Sequence, residues 1–410
     1  MGQGVTEPAS DRQLDNRGAS MLPPVIKVIA LASFAAALSQ RALDPVLPHV
    51  ADDLMVTVAV AAGLSSALAF TFAIVQPVLG AAADMFGKAR LMIICLVLLG
   101  VASILGAMTT NYSLLLATRV LAGIGAGGVF PVTLSLTSDL VGPQLRQVAL
   151  SRVMAGAMTG TVLGSTAAGV IGDFFGWRGV LVILGGLAII ASIAVAIGFK
   201  GAAIIAPAGK ADFGRLARGY KVIFRNPNTL IVYSAVFVEG CLILGLFPYV
   251  SSFLFDGGVT SLSIAGLVIA CFAVGGLFYT FTVKHMLARL GINGMMIWGG
   301  ILIAIQLAAT GFSPNWQIQA LSLLIMGWGF YMLHGSLQIF STELSQEARA
   351  SAMSLHACCF FLGQSVGPIA YGFGLAHAGK VPTLLMAAAA VALLGFASAR
   401  FLKQRKPADA

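Results

Sequence analysis

Residues 57–109 read TVAVAAGLSSALAFTFAIVQPVLGAAADMFGKARLMIICLVLLGVASILGAMT. Two apolar runs, 57–82 and 91–109, flank a short segment that carries Asp84, Lys88 and Arg90. Each run has about 20 residues or more, the length a helix needs to cross the hydrocarbon core. Neither alternates apolar with polar positions, so helices rather than barrel strands must satisfy the backbone groups. The stretch reads as two membrane spans joined by a tight basic turn.

The rest of the chain extends this pattern. Of 410 residues only 10% are charged, against roughly 25% in soluble proteins, and 58% are hydrophobic. So few charges cannot cover a water-soluble surface or a large soluble catalytic domain. Further apolar runs lie at 25–49, 113–138, 148–171, 178–199, 229–254, 262–283, 293–312, 316–341, 351–374 and 381–402, making twelve in all. One long connection, 200–228, separates the first six from the last six. The expectation is an all-α membrane protein with twelve transmembrane helices in two six-helix bundles related by a pseudo-two-fold axis. Its parts are a tail (1–24), an N-terminal bundle (25–199), a linker (200–228), a C-terminal bundle (229–402) and a second tail (403–410). The polar start, which mixes Glu7, Asp11 and Asp15 with Arg12 and Arg17, does not read as a cleaved signal, so run 1 is expected to be retained.

Twenty of the 24 lysines and arginines fall on one side of these runs. Arg178 and Lys380 fall on the other, and Arg41 and Arg119 lie within runs. By the positive-inside rule both termini are expected in the cytoplasm, in a multi-pass protein of a bacterial inner membrane. The net charge of +9 follows from this bias and from anionic lipid, and calls for no nucleic acid. The five cysteines all lie inside apolar runs, without the spacing of a disulfide framework or metal site. In the linker, Phe213, Leu216, Tyr220, Ile223 and Phe224 share one helical face, which suggests a short amphipathic helix on the inner leaflet.

The halves resemble each other. Ser138-Asp139-Leu140 ends run 4 and Thr342-Glu343-Leu344 ends run 10. Gly160-xxx-Gly164 in run 5 corresponds to Gly363-xxx-Gly367 in run 11. Asp139 precedes Gly164 by 25 residues, and Glu343 precedes Gly367 by 24. A six-helix repeat of this kind places a site between the halves, near the membrane midplane.

The turn between runs 2 and 3 is Gly80-Ala-Ala-Ala-Asp84-Met-Phe-Gly87-Lys88-Ala-Arg90. Its glycines permit close packing and an unusual turn, and Lys88 and Arg90 can pair with an acid such as Asp139. At these residues the chain resembles the major facilitator superfamily, whose motif A has the form G-x-x-x-D-x-x-G-[RK]-[KR]. Arg119-Val-Leu-Ala-Gly123-Ile-Gly125-Ala-Gly127 resembles the same family's motif B. Asp44-Pro45-Val46-Leu47-Pro48 is similar to the end of helix 1 in the twelve-helix drug:proton antiporters. The helix 5 motif of those antiporters is partly matched, with Gly156, Gly160, Gly164 and Gly169 present and Ser165 where proline is expected. The resemblance implies alternating access, with Gly80, Asp84, Gly87, Lys88, Arg90, Asp139 and Glu343 forming an inner gate.

An ionisable residue inside the bilayer is costly and marks a functional site by default. Arg41, Asp44, Arg119 and Glu239 are four such residues. Asp44 lies about 7 Å and Arg119 about 9 Å from the outer ends of their runs. Arg41 is three residues from Asp44, a helical neighbour, and superfamily analogy brings Arg119 to the same place. Glu239 sits near mid-membrane with no base close in sequence. Asp44, Glu239 and Arg119 are the candidates for proton coupling, either carboxylate being able to carry the proton. His334 and His356 titrate near neutrality when unperturbed and are candidates of lower rank.

Runs 1, 4, 7 and 10 are the cavity helices of the superfamily. They offer Arg41, Phe34, Gln40, Tyr233, Phe237, Trp328, Tyr331, His334 and Gln338 as substrate-binding residues, with Leu38, Phe130 and Ser135 beside them. Aromatic walls with a few polar groups suit an amphipathic organic molecule. No catalytic motif or nucleotide-binding loop occurs, so the expectation is a non-enzyme without cofactor or metal, driven by an ion or solute gradient. Its expected partners are a small organic substrate, protons and the lipid bilayer, and it is expected to act as a monomer. The reading is proton-coupled export of small amphipathic organic compounds. The alternatives are a facilitator or proton symporter for an organic anion, and a non-transporting membrane receptor or scaffold.

Overall fold

The computed structural model describes residues 23–200, 213–313 and 315–402. Among them the chain is helical, and its elements follow the apolar runs. Run 1 contains α1 (Val25–Gln40) and α2 (Leu47–Asp53), and run 2 contains α3 (Val58–Val75) and α4 (Leu79–Phe86). Run 3 is α5 (Lys88–Ala107) and run 4 is α6 (Tyr112–Leu140). Runs 5 and 6 are the two arms of α7 (Pro143–Gly198). The linker forms α8 (Phe213–Phe224), and run 7 forms α9 (Asn228–Ile243) and α10 (Phe247–Asp256). Runs 8 and 9 are the arms of α11 (Leu262–Phe312). Runs 10, 11 and 12 are α12 (Trp316–Glu343), α13 (Arg349–Ala378) and α14 (Lys380–Phe401).

Nine helical stretches among the described residues are long and apolar enough to cross a membrane. A straight helix of 56 residues would span about 84 Å, far more than the roughly 30 Å of hydrocarbon. The 56-residue α7 and the 51-residue α11 each break at a glycine of positive φ, Gly176 and Gly291. Each break turns the chain back, so both helices hold two spans, as the sequence predicts. Four of the helices that start at the face opposite the basic turns open on side-chain caps. Thr57 accepts from Val60 N–H, Asn111 from Leu114, Ser261 from Ile264 and Asn315 from Gln317. Each cap satisfies an amide that the first turn leaves free.

Runs 1, 2 and 7 are not continuous helices. Asp44 precedes Pro45, which has no N–H to donate and disfavours helical geometry at the residue before it. The chain therefore leaves α1 at Gln40 and passes through a turn before α2 begins at Leu47. Arg41 and Asp44 thus pair across a break, not along a helix face as expected. Run 2 tightens into a 3₁₀ turn at Gln76–Val78, around Pro77. Run 7 does so at Leu244–Leu246, just before Pro248.

The repeat recurs in three dimensions. Gly160 and Gly164 lie so close to the Phe34 and Leu38 carbonyls that no Cβ could fit, and Gly363 and Gly367 stand in the same relation to Phe237 and Cys241. Every residue of the first set is 203 positions before its counterpart. The positive-φ residues pair in the same register: Met55 with Gly258, Gly87 with Gly291, and Gly176 with Gly379, each 203 or 204 apart. Pro45 and Pro248, beside the breaks in runs 1 and 7, are also 203 apart.

Two seams join the halves. In one, α3 packs on α13: Gly372 lies beside Ala59, the Phe72 and Phe361 rings are 4.0 Å apart, and Ser354 donates to the Gln76 carbonyl at 2.6 Å. In the other, Gly169 and Gly266 bring run 5 against run 8 by backbone approach to Leu262 and Ser165. The linker helix α8 does not rest on lipid alone. Ile223 is fully buried and Tyr220 donates to the Pro77 carbonyl at 2.7 Å, whereas Phe224 stays exposed. The side chains of Phe213, Arg215 and Leu216 lie outside the described residues, as do residues 1–22, 201–212 and 403–410.

Candidate functional site

Two buried polar centres lie within the membrane region. The first is built on the break after α1. Arg41 Nη1 donates to Asp44 Oδ2 at 3.1 Å and Ser65 Oγ of α3 donates to Oδ1 at 2.9 Å. The carboxylate is 3% exposed, so these bonds replace the water it has lost. Ser251 of α10 donates to the main-chain carbonyl of Asp44 at 2.8 Å, which ties the break to the other half. The Arg41 guanidinium sits 4.1 Å from the centre of the Phe247 ring, a cation–π contact across the halves. Phe247 is the residue 203 positions after Asp44, so the two helix breaks meet each other. A small cavity bordered by Gln40, Arg41, Asp44, Ser65, Gln364 and Pro368 has room for about one water.

The second centre lies in the C-terminal half. Glu239 is fully buried on α9, and its Oε2 is 2.8 Å from His334 Nδ1 on α12. The His334 ring stacks on Phe330 at 4.9 Å and meets His356 of α13 edge-on at 5.0 Å. His356 Nδ1 is 2.7 Å from Ser341 Oγ. The sequence reading gave Glu239 no base; the fold supplies one from three helices away along the chain. Helical phase on runs 7 and 10 decides this contact, and sequence separation does not reveal it. The available signal was the superfamily resemblance, which makes runs 7 and 10 both cavity helices; runs 1 and 4 likewise touch through polar side chains, Ser33 donating to Thr133 at 2.9 Å.

Arg119 joins neither centre. It is 2% exposed, and its guanidinium lies against Gly106 of α5. Among the described residues no carboxylate lies within ion-pair distance of it, and its Nε and Nη2 have no partner. The expected meeting of Arg41, Asp44 and Arg119 is therefore reduced to the first two.

The remaining candidates divide by surroundings. Tyr331 is within electrostatic reach of Arg41 and stacks with Tyr279 at 6.1 Å. Tyr233 donates to the Ala352 carbonyl at 3.0 Å, and Trp328 to Thr282 Oγ1 at 3.0 Å, so both serve helix contacts. Phe34 and Phe237 are half-buried, their carbonyls pressed on Gly160 and Gly363, and Gln338 is exposed. At the basic face Lys88 bonds Asp139 at 2.5 Å, and Gly87 takes a φ of 78° to turn the chain. Arg90 and Glu343 are exposed, and among the described residues Glu343 makes no ion pair. The side chains of Gly80 and Asp84 lie outside the described residues.

One contact has no sequence expectation behind it. Asp173, at the bend between the arms of α7, accepts from the N–H groups of Leu262 and Ser263 at 2.8 and 2.9 Å. It also accepts from the hydroxyls of Ser261 at 3.0 Å and Ser263 at 2.5 Å. The carboxylate of one half thus caps the first turn of α11 in the other. Burial pushes its pKa up, but these bonds outweigh it and hold the group below the usual carboxylate range.

Comparison with known proteins agrees with this geometry. A bacterial homologue of the human lysosomal transporter Spinster, solved in an inward-facing and unoccupied conformation, superposes with a TM-score of 0.75 at 17% identity, covering 94% of this chain and 98% of that one. The nucleoside transporter NupG superposes equally well, with a TM-score of 0.75 at 17% identity over 93% of this chain and all of that one. The MFS-type transporter YtbD of Bacillus subtilis is 24% identical over 409 residues, which is 94% of this chain and 98% of that protein. A chloramphenicol resistance protein of Streptomyces lividans is 29% identical over 157 residues, 38% of this chain and 40% of that protein. The 3-(3-hydroxy-phenyl)propionate transporter of Escherichia coli is 24% identical over 327 residues, 77% of this chain and 79% of that protein. The family model of the Major Facilitator Superfamily matches residues 29–292 and 259–410. An all-helical membrane architecture, an internal repeat, buried charges where the halves meet and this match agree, and the chain belongs to the Major Facilitator Superfamily of membrane transporters.

Proposed function

We propose that the protein is a proton-coupled secondary transporter that exports small amphipathic organic compounds by alternating access. The observation that carries this reading is the pair of buried carboxylates, each held against a base: Asp44 with Arg41, and Glu239 with His334. A buried carboxylate that can exchange its proton with one neighbour is the component coupling requires. The two six-helix bundles, 25–199 and 229–402, are the moving bodies, with both termini in the cytoplasm, in a bacterial inner membrane and as a monomer. Likeness to a chloramphenicol resistance protein over 38% of the chain supports the direction.

A second reading has its own support. Arg41 borders the small cavity between the halves, and the relative that transports 3-(3-hydroxy-phenyl)propionate aligns over most of the chain. An organic-anion symporter would use Arg41 as its carboxylate clamp. Flux into liposomes holding the purified protein, under an imposed pH gradient, separates the readings. Proton-driven movement of ethidium or chloramphenicol is expected for the exporter. Movement of 3-(3-hydroxy-phenyl)propionate alone would favour the symporter, and no flux of any solute would leave a receptor.

A further inference from the structure

We propose that His334, His356 and Ser341 form a proton path from Glu239 to the basic face of the protein. The proposal rests on Glu239 exchanging protons, as the coupled reading requires. Glu239 lies twelve residues into α9, in mid-membrane. From its Oε2 the contacts run to His334 Nδ1 at 2.8 Å, across the edge-on imidazoles at 5.0 Å, and from His356 Nδ1 to Ser341 Oγ at 2.7 Å. Ser341 is two residues before Glu343, the last residue of α12, which is exposed at the basic face. Three helices thus line up polar groups from the middle of the bilayer towards the basic face, as far as the buried Ser341.

Packing alone gives no reason for this arrangement. His356 is 2% exposed, and among the described residues its Nε2 has no partner and Glu239 Oε1 is buried without one as well. Each such atom costs free energy that an apolar side chain would avoid. The repeat makes the same point. The positions 203 or 204 residues earlier than Glu239, His334 and His356 are Ala36, Phe130 and Val153, all apolar. The fold is stable with apolar residues there, so the C-terminal half carries the chain for another reason. Phe330 and Phe360 flank His334, with ring centres 4.9 and 4.7 Å from it, and limit its motion to rotation within a slot. The other titratable groups on α9, α12 and α13 are Tyr233, Cys241, Tyr331, Glu343, Arg349, Cys358, Cys359, Tyr371 and His377, with Arg41 near Tyr331. None of them bonds to Glu239, His334 or His356.

The transfer balances without a further reactant. Protonated Glu239 gives its proton to His334 Nδ1, and ring rotation then brings His334 Nε2–H to His356 Nε2, which has no partner among the described residues in this structure, for the next transfer. His356 gives up its Nδ1 proton to Ser341 Oγ, and the serine hydroxyl proton leaves to water once the halves part at the basic face, since Ser341 is buried in this structure. The net change is one proton from Glu239 to the basic face, with each imidazole left in its other tautomer.

Infrared spectroscopy of the purified full chain after a pH jump tests the path without any solute. The Glu239 carboxyl band is assigned by its loss in Glu239→Gln. Its rate of change should fall about a hundredfold in His356→Phe, the low end of what a positioned proton-transfer group contributes. Ser341→Ala and His356→Gln, milder changes in shape, should also slow it, with melting temperature and far-UV circular dichroism showing an intact fold. Equal rates in wild type and folded variants would overturn the path, as would a Glu239 band that never responds to pH. Failure of the coupled reading shows differently: the band titrates at the rates expected here, yet no solute follows a pH gradient in liposomes.

Discussion

Arg41 and Asp44 show how one residue type can decide a site. Pro45 breaks run 1, the break exposes backbone groups that Ser251 helps to satisfy, and the charge pair occupies the space so opened. Replacing Arg41 with alanine leaves a 3% exposed carboxylate with Ser65 alone, and removing one partner of a buried pair costs about 3–5 kcal/mol. We therefore expect Arg41→Ala to lower the melting temperature in detergent far more than Arg90→Ala, which removes an exposed charge. Equal melting temperatures would show that the pair does not hold the break. The coupling roles are separable as well. Glu239→Gln should abolish proton-driven accumulation and keep counterflow, while Asp44→Asn leaves Arg41 uncompensated and should favour anions over cations. A Glu239→Gln variant that still accumulates substrate against its gradient would move the carrier to Asp44. The four intramembrane charges were legible in the sequence because hydrophobic surroundings make them conspicuous. Their partners were not, since His334 reaches Glu239 only through the rotational phase of two helices, and Arg119 turns towards Gly106 for the same reason.

At the scale of elements, small residues set how closely helices approach, and this was legible as glycine spacing. A Cβ on Gly363 would strike the Phe237 backbone carbonyl, which has no side-chain freedom with which to yield. Overpacking of this kind costs about 1–3 kcal/mol, so Gly363→Ala should destabilise the protein, whereas Gly186→Ala, which meets nothing within 4 Å, should not. Thermal unfolding of both variants in one detergent decides the matter, and a Gly363→Ala as stable as Gly186→Ala would refute the packing argument. The Asp173 cap on α11 was not legible, because a polar residue at a turn has no sequence mark that names a distant helix terminus. Its pH dependence has a definite sign. The folded pKa lies below the unfolded one, so the cap's contribution is present above the ordinary carboxylate pKa of about 3.9 and is lost as pH falls through the folded value. Between pH 5 and pH 8 the contact should hold unchanged. Amide exchange at Leu262 and Ser263 that quickens on going from pH 8 to pH 5, after correction for intrinsic rates, would contradict this.

For the whole molecule, alternating access requires that the contacts between halves break at one face while those at the other remain. The contacts divide into two such sets. At the basic face Tyr220 donates to the Pro77 carbonyl and Ser354 to the Gln76 carbonyl, both acceptors lying in the 3₁₀ turn of run 2. At the far face Asp173 caps α11 and Ser251 holds the Asp44 carbonyl. The repeat from which two matching halves were expected is plain in the spacing of acids and glycines, but the ion pair inside the first half at the basic face is not repeated in the second. Lys88 binds Asp139, whereas Glu343, at the equivalent place, makes no ion pair among the described residues. Each net hydrogen bond contributes about 1 kcal/mol, so the double variant Tyr220→Phe with Ser354→Ala should shift the equilibrium between states by about 30-fold. The shift should open the basic face and lengthen the distance between spin labels at Ser151 in run 5 and Thr280 in run 8. Asp173→Ala should act in the opposite sense, loosening the far face and shortening that distance. Two variants that move the labels in the same direction, or neither of which moves them, would show that these contacts are not the latches of alternating access.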